Sequence, residues 1–518
     1  MAIIQYFLSN LRKNPNHTAL ILNDRDYSYS KISEFTETLC AKFISEGIKC
    51  GSHVAVVLDN SLEFVVTLLA IADIGAVCVP INPELSLDQI QKVIAESDSE
   101  YLVSNSVCSG KYTDSQIEAI FERKKFIFFD KDFEIYINDI KQLSTDYRGY
   151  VLGKNHNQEE LEYILTATSG STGEPKMIVL TQGNKIKRMI QGCRDLYNLD
   201  MDDVIITASP MYHSLGLRLS LLPLIIGCTS VILKKFVAKQ WFETIEKYRV
   251  TFTIAVSVHL TQAYNLIRER KYNLDSLRVI VSSSSPINFD IRESLVDLLQ
   301  CKLYECYGAS EVGIATNILI NHDCPKSSVG KALEYVDLRI IDSDRNEVDP
   351  GTIGQIICKS ATCFKGYYKS PSLTKQSILS NYFYTGDLGF IDGDGYLYLV
   401  GRLKDVIIVG GANVYAIDIE KVINNFDSVE ECAVVGIKDS YFGEVPAVAI
   451  VPRGKGFNLL DIKVRCSKEL ASYQQPRAFN IVDKLPKNAM GKTMKHILKK
   501  DFSDYDSSSP LLYALLSK

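Results

Sequence analysis

The run Thr168-Ser169-Gly170-Ser171-Thr172-Gly173-Glu174-Pro175-Lys176 gathers hydroxyls, glycines and a closing cation into one short loop. Glycine lets backbone N–H groups approach an anion closely, hydroxyls donate further hydrogen bonds, and an ammonium adds a point charge. Phosphate binding is the chemistry such a loop suits. It is not a Walker loop, which sets its lysine directly after a glycine, because Glu174 and Pro175 intervene here. A plain Ser/Gly surface turn is the competing reading of the stretch taken alone. Elsewhere, Asp392-Gly393-Asp394-Gly395 lacks the spacing and terminal glutamate of a calcium loop and reads as a hairpin turn. By itself, His213 reads as a packed core histidine. Lys492 reads as one cation of a solvated run with Lys487, Lys495, Lys499 and Lys500.

The elements around the loop predict how it is held. It follows the apolar run 163–165, and from residue 54 onward β-branched runs alternate with helical patterns: 54–58, 62–74 and 76–80, then strands at 204–207, 229–233, 252–256 and 279–281. This is the grammar of βαβ units and predicts an α/β fold with a large, mainly parallel body. After about residue 337 the texture changes to hairpins at 338–341, 354–358, 389–391 and 396–400, predicting a β subdomain over about 337–403. Beyond Arg402 come an apolar strand at 406–409, a Gly410-Gly411 turn, a helix at 416–425 and an alternating strand at 431–437. The expected division is a body over 1–403 and a small α+β lobe over 404–518.

Composition narrows the partners. A chain of 518 residues, 46% hydrophobic and 23% charged, is an ordinary folded protein of more than one domain. Its formal charge of -5 supplies no global field for nucleic acid. Thirteen scattered cysteines without a CxxC fit reduced thiols and a cytoplasmic setting. Residues 1–14 read as an amphipathic helix rather than a signal peptide, and the most apolar stretch, 219–233, is broken by Pro223 and Gly227, so no membrane span is expected.

The loop resembles the phosphate-binding motif of the adenylate-forming superfamily, which comprises acyl-CoA synthetases, peptide-synthetase adenylation domains and luciferases. Further motifs follow in the family's order from about Asn14 to Lys495. The resemblance assigns Thr168, Ser169, Gly170, Ser171, Thr172, Gly173 and Lys176 to ATP. Pro210-Met211-Tyr212-His213 is similar to the segment whose histidine lines the channel between acyl site and acceptor. Tyr304-Glu305-Cys306-Tyr307-Gly308-Ala309-Ser310-Glu311 is similar to the segment that stacks an aromatic ring on adenine. There Tyr307 and Gly308 would meet the nucleotide, Ser310 a phosphate, and Glu311, with Thr172, Mg²⁺. Ser284 falls in the nucleotide pocket. Asp387 and Arg402 resemble the pair that holds the ribose, Lys404 the hinge, Gly410 and Gly411 the loop beside the acceptor's thiol arm, and Lys492 the adenylation lysine. Glu420 reads as structural.

The implied reaction joins a carboxylic acid to ATP as acyl-AMP with release of pyrophosphate, then passes the acyl group to coenzyme A. A phosphopantetheine arm on a carrier protein is the alternative acceptor. The family implies that the small lobe rotates between the two steps. Departures from the family pattern are Met177, Ser283-Ser284-Ser285 in place of a Gly-Gly-Ala run, Gln355, Ala416 and Met490. The serines add bulk and hydroxyls near the acyl pocket. The apolar stretch 219–226, and the lack of an aspartate beside His213 to hold an ammonium, favour an apolar fatty or aryl acid over an amino acid.

Overall fold

The computed structural model describes residues 1–105, 125–129, 132–142, 158–168, 176–287, 289–488, 491–503 and 505. The chain divides into two compact units, one of residues 1–326, 333–337 and 359–383, the other of 327–332, 338–358 and 384–518.

The first unit carries two sheets. One runs in the order Gly313–Leu319, Lys302–Ala309, Val279–Ser283, Phe252–Val256, Val204–Thr207, Thr229–Ile232, Thr18–Leu22 and Arg25–Ser28. Its inner pairings are parallel, and the strands Gly313–Leu319 and Arg25–Ser28 turn back antiparallel. The other places Gly366–Tyr367, Lys176–Thr181, Glu162–Thr168, Val77–Pro80, His53–Val57, Tyr101–Asn105 and Lys125–Phe129 in order. Continuous apolar strands suit a parallel sheet covered on both faces, and the mainly parallel α/β expectation holds. The helix Leu62–Ile74 is buried almost all round, as its unbroken apolar sequence requires. Ser61 caps its first turn by accepting from Phe64 N, and Gly75 closes it at φ 76°. The expected amphipathic N-terminal helix is Ile3–Lys13, with Ile3, Ile4 and Phe7 buried. The stretch broken by Pro223 becomes the helix Ser214–Ile226, capped by Gly227 in the left-handed region, followed by the strand Thr229–Ile232. Among the described residues no helix is long and apolar enough to cross a membrane.

The second unit holds the greater part of the strands Gly354–Ser360 and Tyr382–Ile391 and all of Leu397–Arg402, and the last two form an antiparallel hairpin. The turn between them is closed by Asp392 Oδ1, which accepts from Asp394 N and Tyr396 N, so the DGDG segment is a turn as expected. The C-terminal part is a sheet of Ala412–Val414, Ile407–Val409, Gly443–Pro452 and Val429–Asp439, with Ala478–Ile481 added parallel to Gly443–Pro452. The strand expected to alternate is instead buried on both faces. Val434 packs with Ile419, Ile423 and Ile462 of the helices Ala416–Asn424 and Leu459–Glu469. Ala433 and Val435 pack with Leu485, Leu498 and Phe502. Glu420 is structural, as read: its Oε1 accepts from Val434 N at 2.9 Å and from Lys495 Nζ at 3.0 Å.

Candidate active site

In the first unit the candidate residues are fixed from beneath by buried polar groups. Of the hydroxyl-rich loop, Ser169, Gly170, Ser171, Thr172 and Gly173 lie outside the described residues, as does Met490. Thr168 ends the strand Glu162–Thr168, and Lys176 begins its antiparallel partner directly opposite, so the two ends of the loop are held together by the ladder. Lys176 Nζ lies 5.8 Å from the centroid of the Tyr367 ring. The Tyr367 hydroxyl donates to Glu311 Oε1 at 3.3 Å. One aromatic side chain thus touches both the expected phosphate lysine and the expected Mg²⁺ carboxylate. Tyr367 sits there because Gly366–Tyr367 pairs with Val179 and Ile178 of the strand that starts at Lys176. Sequence reading missed it, since a Gly-Tyr-Tyr triplet has no diagnostic spacing.

Arg188, 2% exposed, fixes the segment carrying Glu311. Its guanidinium donates to the carbonyls of Thr362, Ser310 and Glu311 at 2.8, 2.8 and 2.9 Å. In the sequence it sits among Lys185 and Lys187 and looks like part of a solvated charged face. Gly308 lies so close to the carbonyl of Gly313 that a Cβ would approach it to 1.9 Å. Only glycine fits. Tyr307, on the strand Lys302–Ala309, is 8% exposed.

His213 is the N-cap residue of the helix Ser214–Ile226. Its turn is tied down by Asn60, which donates to the carbonyls of Ser209 and Leu233 at 3.0 and 2.9 Å and accepts from Met211 N at 2.7 Å. Asn60 was also missed, because Asp-Asn-Ser before a helix reads as a cap. Gly216 packs against Pro210, where a Cβ would meet the carbonyl at 2.1 Å. The His213 Nε2 atom is buried without a hydrogen-bond partner among the described residues. Burial lowers the imidazole's pKa to about 4, so it is neutral at physiological pH. Ser284 has φ 81°, a conformation natural to glycine and strained for serine, while Ser285 and Ser257 share a hydrogen bond of 2.5 Å between hydroxyls.

In the second unit, Asp387 and Arg402 face each other across the hairpin, with Arg402 Nε 2.9 Å from Asp387 Oδ1. Thr385 supports the pair: its hydroxyl donates to Ile356 O and accepts from Asp387 N. Lys492 belongs to the same electrostatic neighbourhood. Burial lowers its pKa, Arg402 and Lys404 lower it further, and Asp387 and Asp405 oppose them. The side chain remains solvent-accessible overall, so the ammonium is crowded by protein but open to a ligand. Its backbone is fixed by Asn488, whose N–H donates to Lys492 O and whose Oδ1 accepts from Lys492 N. Of the cations in the same run, Lys487 and Lys495 pair with Glu431 and Glu420. Lys404 lies in the 3-10 turn Leu403–Asp405. Gly410 and Gly411, at φ 57° and 91°, form the two-residue turn between Ile407–Val409 and Ala412–Val414, the left-handed pair that a tight hairpin demands.

Among the described residues no cluster of three His, Cys, Asp or Glu could hold a metal by itself. Mg²⁺ bound through a nucleotide needs only one or two protein oxygens beside the phosphates, and Glu311, fixed but with oxygen capacity to spare, fits that role.

A model described as "AMP-binding enzyme" matches residues 7–368. One described as "AMP-binding enzyme C-terminal domain" matches residues 418–492. The chain is 29% identical to the indoleacetate–CoA ligase of Aromatoleum aromaticum, covering 93% of this chain and 94% of that one. It is 27% identical to the 2-succinylbenzoate–CoA ligase of Oceanobacillus iheyensis, covering 94% and 97%. Its structure is similar to that of ATP-bound MatB from Rhodopseudomonas palustris, with a TM-score of 0.88, 26% identity and coverage of 97% and 99%.

Proposed function

The chain belongs to the AMP-binding enzyme family, and from that premise we propose that it is an AMP-forming acid–coenzyme A ligase acting on an aromatic acid. The observation that carries the reading is the grouping of Lys492 with Asp387 and Arg402, which puts a crowded, accessible cation beside a carboxylate suited to ribose hydroxyls. Similarity over nearly the whole chain to ligases of aryl acids supports the substrate class and coenzyme A as acceptor.

The acid's carboxylate oxygen attacks the α-phosphorus of ATP, the bond from that phosphorus to the β-bridging oxygen breaks, and pyrophosphate leaves. We assign Lys492 to the charge growing on the α-phosphate and bridging oxygens. Asp387 and Arg402 hold the ribose, and Tyr307 and Gly308 lie against the adenine. Lys176 and the loop 168–173, Thr172 included, hold the phosphates with Ser310. Glu311 and Thr172 would hold Mg²⁺, which when bound neutralises charge on the phosphate oxygens. Tyr367 orients Glu311 and flanks Lys176, and Arg188 fixes the backbone carrying both Ser310 and Glu311. In the second step the thiol sulfur attacks the acyl carbonyl, the bond to the phosphate oxygen breaks, AMP leaves and the thiol proton is released. His213 enters as a neutral imidazole lining the acyl channel. Residues 404–518 act as the mobile lobe, with Lys404 as hinge and Gly410 and Gly411 reaching the acceptor. Its setting is a reducing compartment, in keeping with the free cysteines of the described residues.

The test is ATP–pyrophosphate exchange across aryl, fatty and amino acids, followed by acyl transfer to coenzyme A or to a carrier-protein phosphopantetheine. Exchange with aryl acids and transfer to free coenzyme A are expected. Exchange confined to amino acids, or transfer only to a carrier protein, would overturn the reading.

A further inference from the structure

The run Ser283-Ser284-Ser285 lies at the carboxyl end of the strand Val279–Ser283, the edge at which open α/β sheets bind their ligands. Its three hydroxyls are spent differently. Ser283 hydrogen-bonds the Cys306 side chain, and Ser285 shares the 2.5 Å bond with Ser257. Ser284, between them, is exposed, and its hydroxyl makes no hydrogen bond to another of the described residues.

Its backbone is an outlier among the described residues. The other non-glycine residues at positive φ lie between 50° and 69°, whereas Ser284 stands at 81°, beyond the small left-handed well open to L-residues near about 50–70°. The loop is pinned on both sides of it by Ser283 and Ser285. Further on, the Ile287 N–H donates to Glu305 Oε1 at 3.1 Å, and Glu305, 3% exposed, meets Arg292 at 3.3 Å, so that anchor is itself fixed. Glycine at 284 would make the same turn without the strain, and the serine hydroxyl adds no bond among the described residues in return. Backbone strain held in place by its surroundings is a mark of functional positions.

The register of the neighbouring strand indicates what the hydroxyl would meet. Val279–Ser283 runs parallel to Lys302–Ala309, with Val281 beside Tyr304 and Ser282 beside Glu305. The Ser283 bond to Cys306 carries that register one residue further, and the next step brings Ser284 level with Tyr307. Tyr307 is the ring assigned above to adenine. A base edge offers ring nitrogens that accept and an amino group that donates, and a hydroxyl can serve either.

We propose that the Ser284 hydroxyl hydrogen-bonds the base of ATP, and that the strained backbone is retained for this contact. The inference rests on the ligase reading through the placing of Tyr307 against adenine, and it adds a base-reading side chain where a Gly-Gly-Ala run has none. It makes Ser284 a specificity residue for the nucleotide and not for the acid. A hydroxyl set to bond one base leaves a mismatched base with an unpaired polar group, which is how such a contact discriminates.

The experiment is titration calorimetry of the acid-free protein with MgATP, MgGTP and magnesium tripolyphosphate, in the wild type, Ser284→Gly and Ser284→Ala, with a melting curve for each. Both variants lose the hydroxyl, but only glycine relieves the strain. Both should weaken MgATP binding about 5-fold, the scale of one neutral hydrogen bond, and narrow the preference for ATP over GTP. Tripolyphosphate, which has no base, should bind all three proteins alike. Ser284→Gly should raise Tm, and Ser284→Ala should leave it near the wild-type value. In ATP–pyrophosphate exchange, both variants should raise KM for ATP and leave KM for the acid unchanged. Wild-type affinity for MgATP in Ser284→Gly would reduce the strain to an accident of the loop and overturn the proposal. A fall in tripolyphosphate affinity, or a rise in KM confined to the acid, would overturn it by moving the hydroxyl to the phosphates or to the acyl pocket. Absence of exchange with every acid would overturn the ligase reading, while calorimetry still decides the role of Ser284. A wild type that binds no MgATP would overturn both.

Discussion

The two units hold their candidate residues by different physical means. In the first, Glu311, Ser310 and His213 are set by buried side chains that bond main-chain atoms: Arg188 to three carbonyls and Asn60 to the turn before His213. In the second, Asp387, Arg402 and Lys492 are placed by a hairpin register and a tight turn near solvent. A buried bond to the backbone resists movement because breaking it strands a desolvated carbonyl. The cross-strand pair is half-open, with side-chain exposures of 37% at Arg402 and 13% at Asp387, and a pair that water reaches from one side is worth less.

The largest effect that tests this contrast falls on the second unit. Lys492→Ala should slow adenylate formation about 100- to 1,000-fold, as removal of a preorganised charge does, while thioester formation from supplied acyl-adenylate changes little. Equal losses in the two half-reactions, followed by pyrophosphate and thioester assays, would contradict the assignment. In the first unit, Arg188→Met should destabilise by about 3 kcal/mol, since one buried and two partly buried carbonyls lose their donor. Urea unfolding measures this, and Arg402→Met, at the half-open pair with Asp387, should cost less, about 1–2 kcal/mol. A similar cost for both would remove the distinction.

Tyr367→Phe should raise the Mg²⁺ requirement about 10-fold with little change in stability, because it frees Glu311 without opening a cavity. Titration of exchange activity with Mg²⁺ tests it. Ser284→Gly should stabilise by about 1 kcal/mol by relieving the φ 81° strain. Last, His213 and His259 both have pKa values lowered to about 4 by burial. Their unfolded forms bind protons first as pH falls, so stability is full above about pH 6.5 and declines toward pH 4. His213→Asn should flatten the Tm difference between pH 5 and pH 7.

Much of this was legible along the chain because its signals are local. The βαβ alternation, the Gly410-Gly411 turn, the DGDG turn and the N-terminal helix each depend on residues within one element or its immediate neighbours, and short-range stereochemistry decides them. The serine run was legible as a departure, but its effect was not, since only the backbone angle of Ser284 shows that the glycine geometry persists under strain.

What the sequence determined by itself is the reaction class, through motifs in order. What only the tertiary structure decided is which groups hold the segments that carry them. Arg188 reads along the chain as one cation among basic neighbours. It meets carbonyls more than a hundred residues away, which nothing in its own stretch of sequence announces. Pairing of a buried charge is a property of distant segments brought together, and no local pattern encodes it.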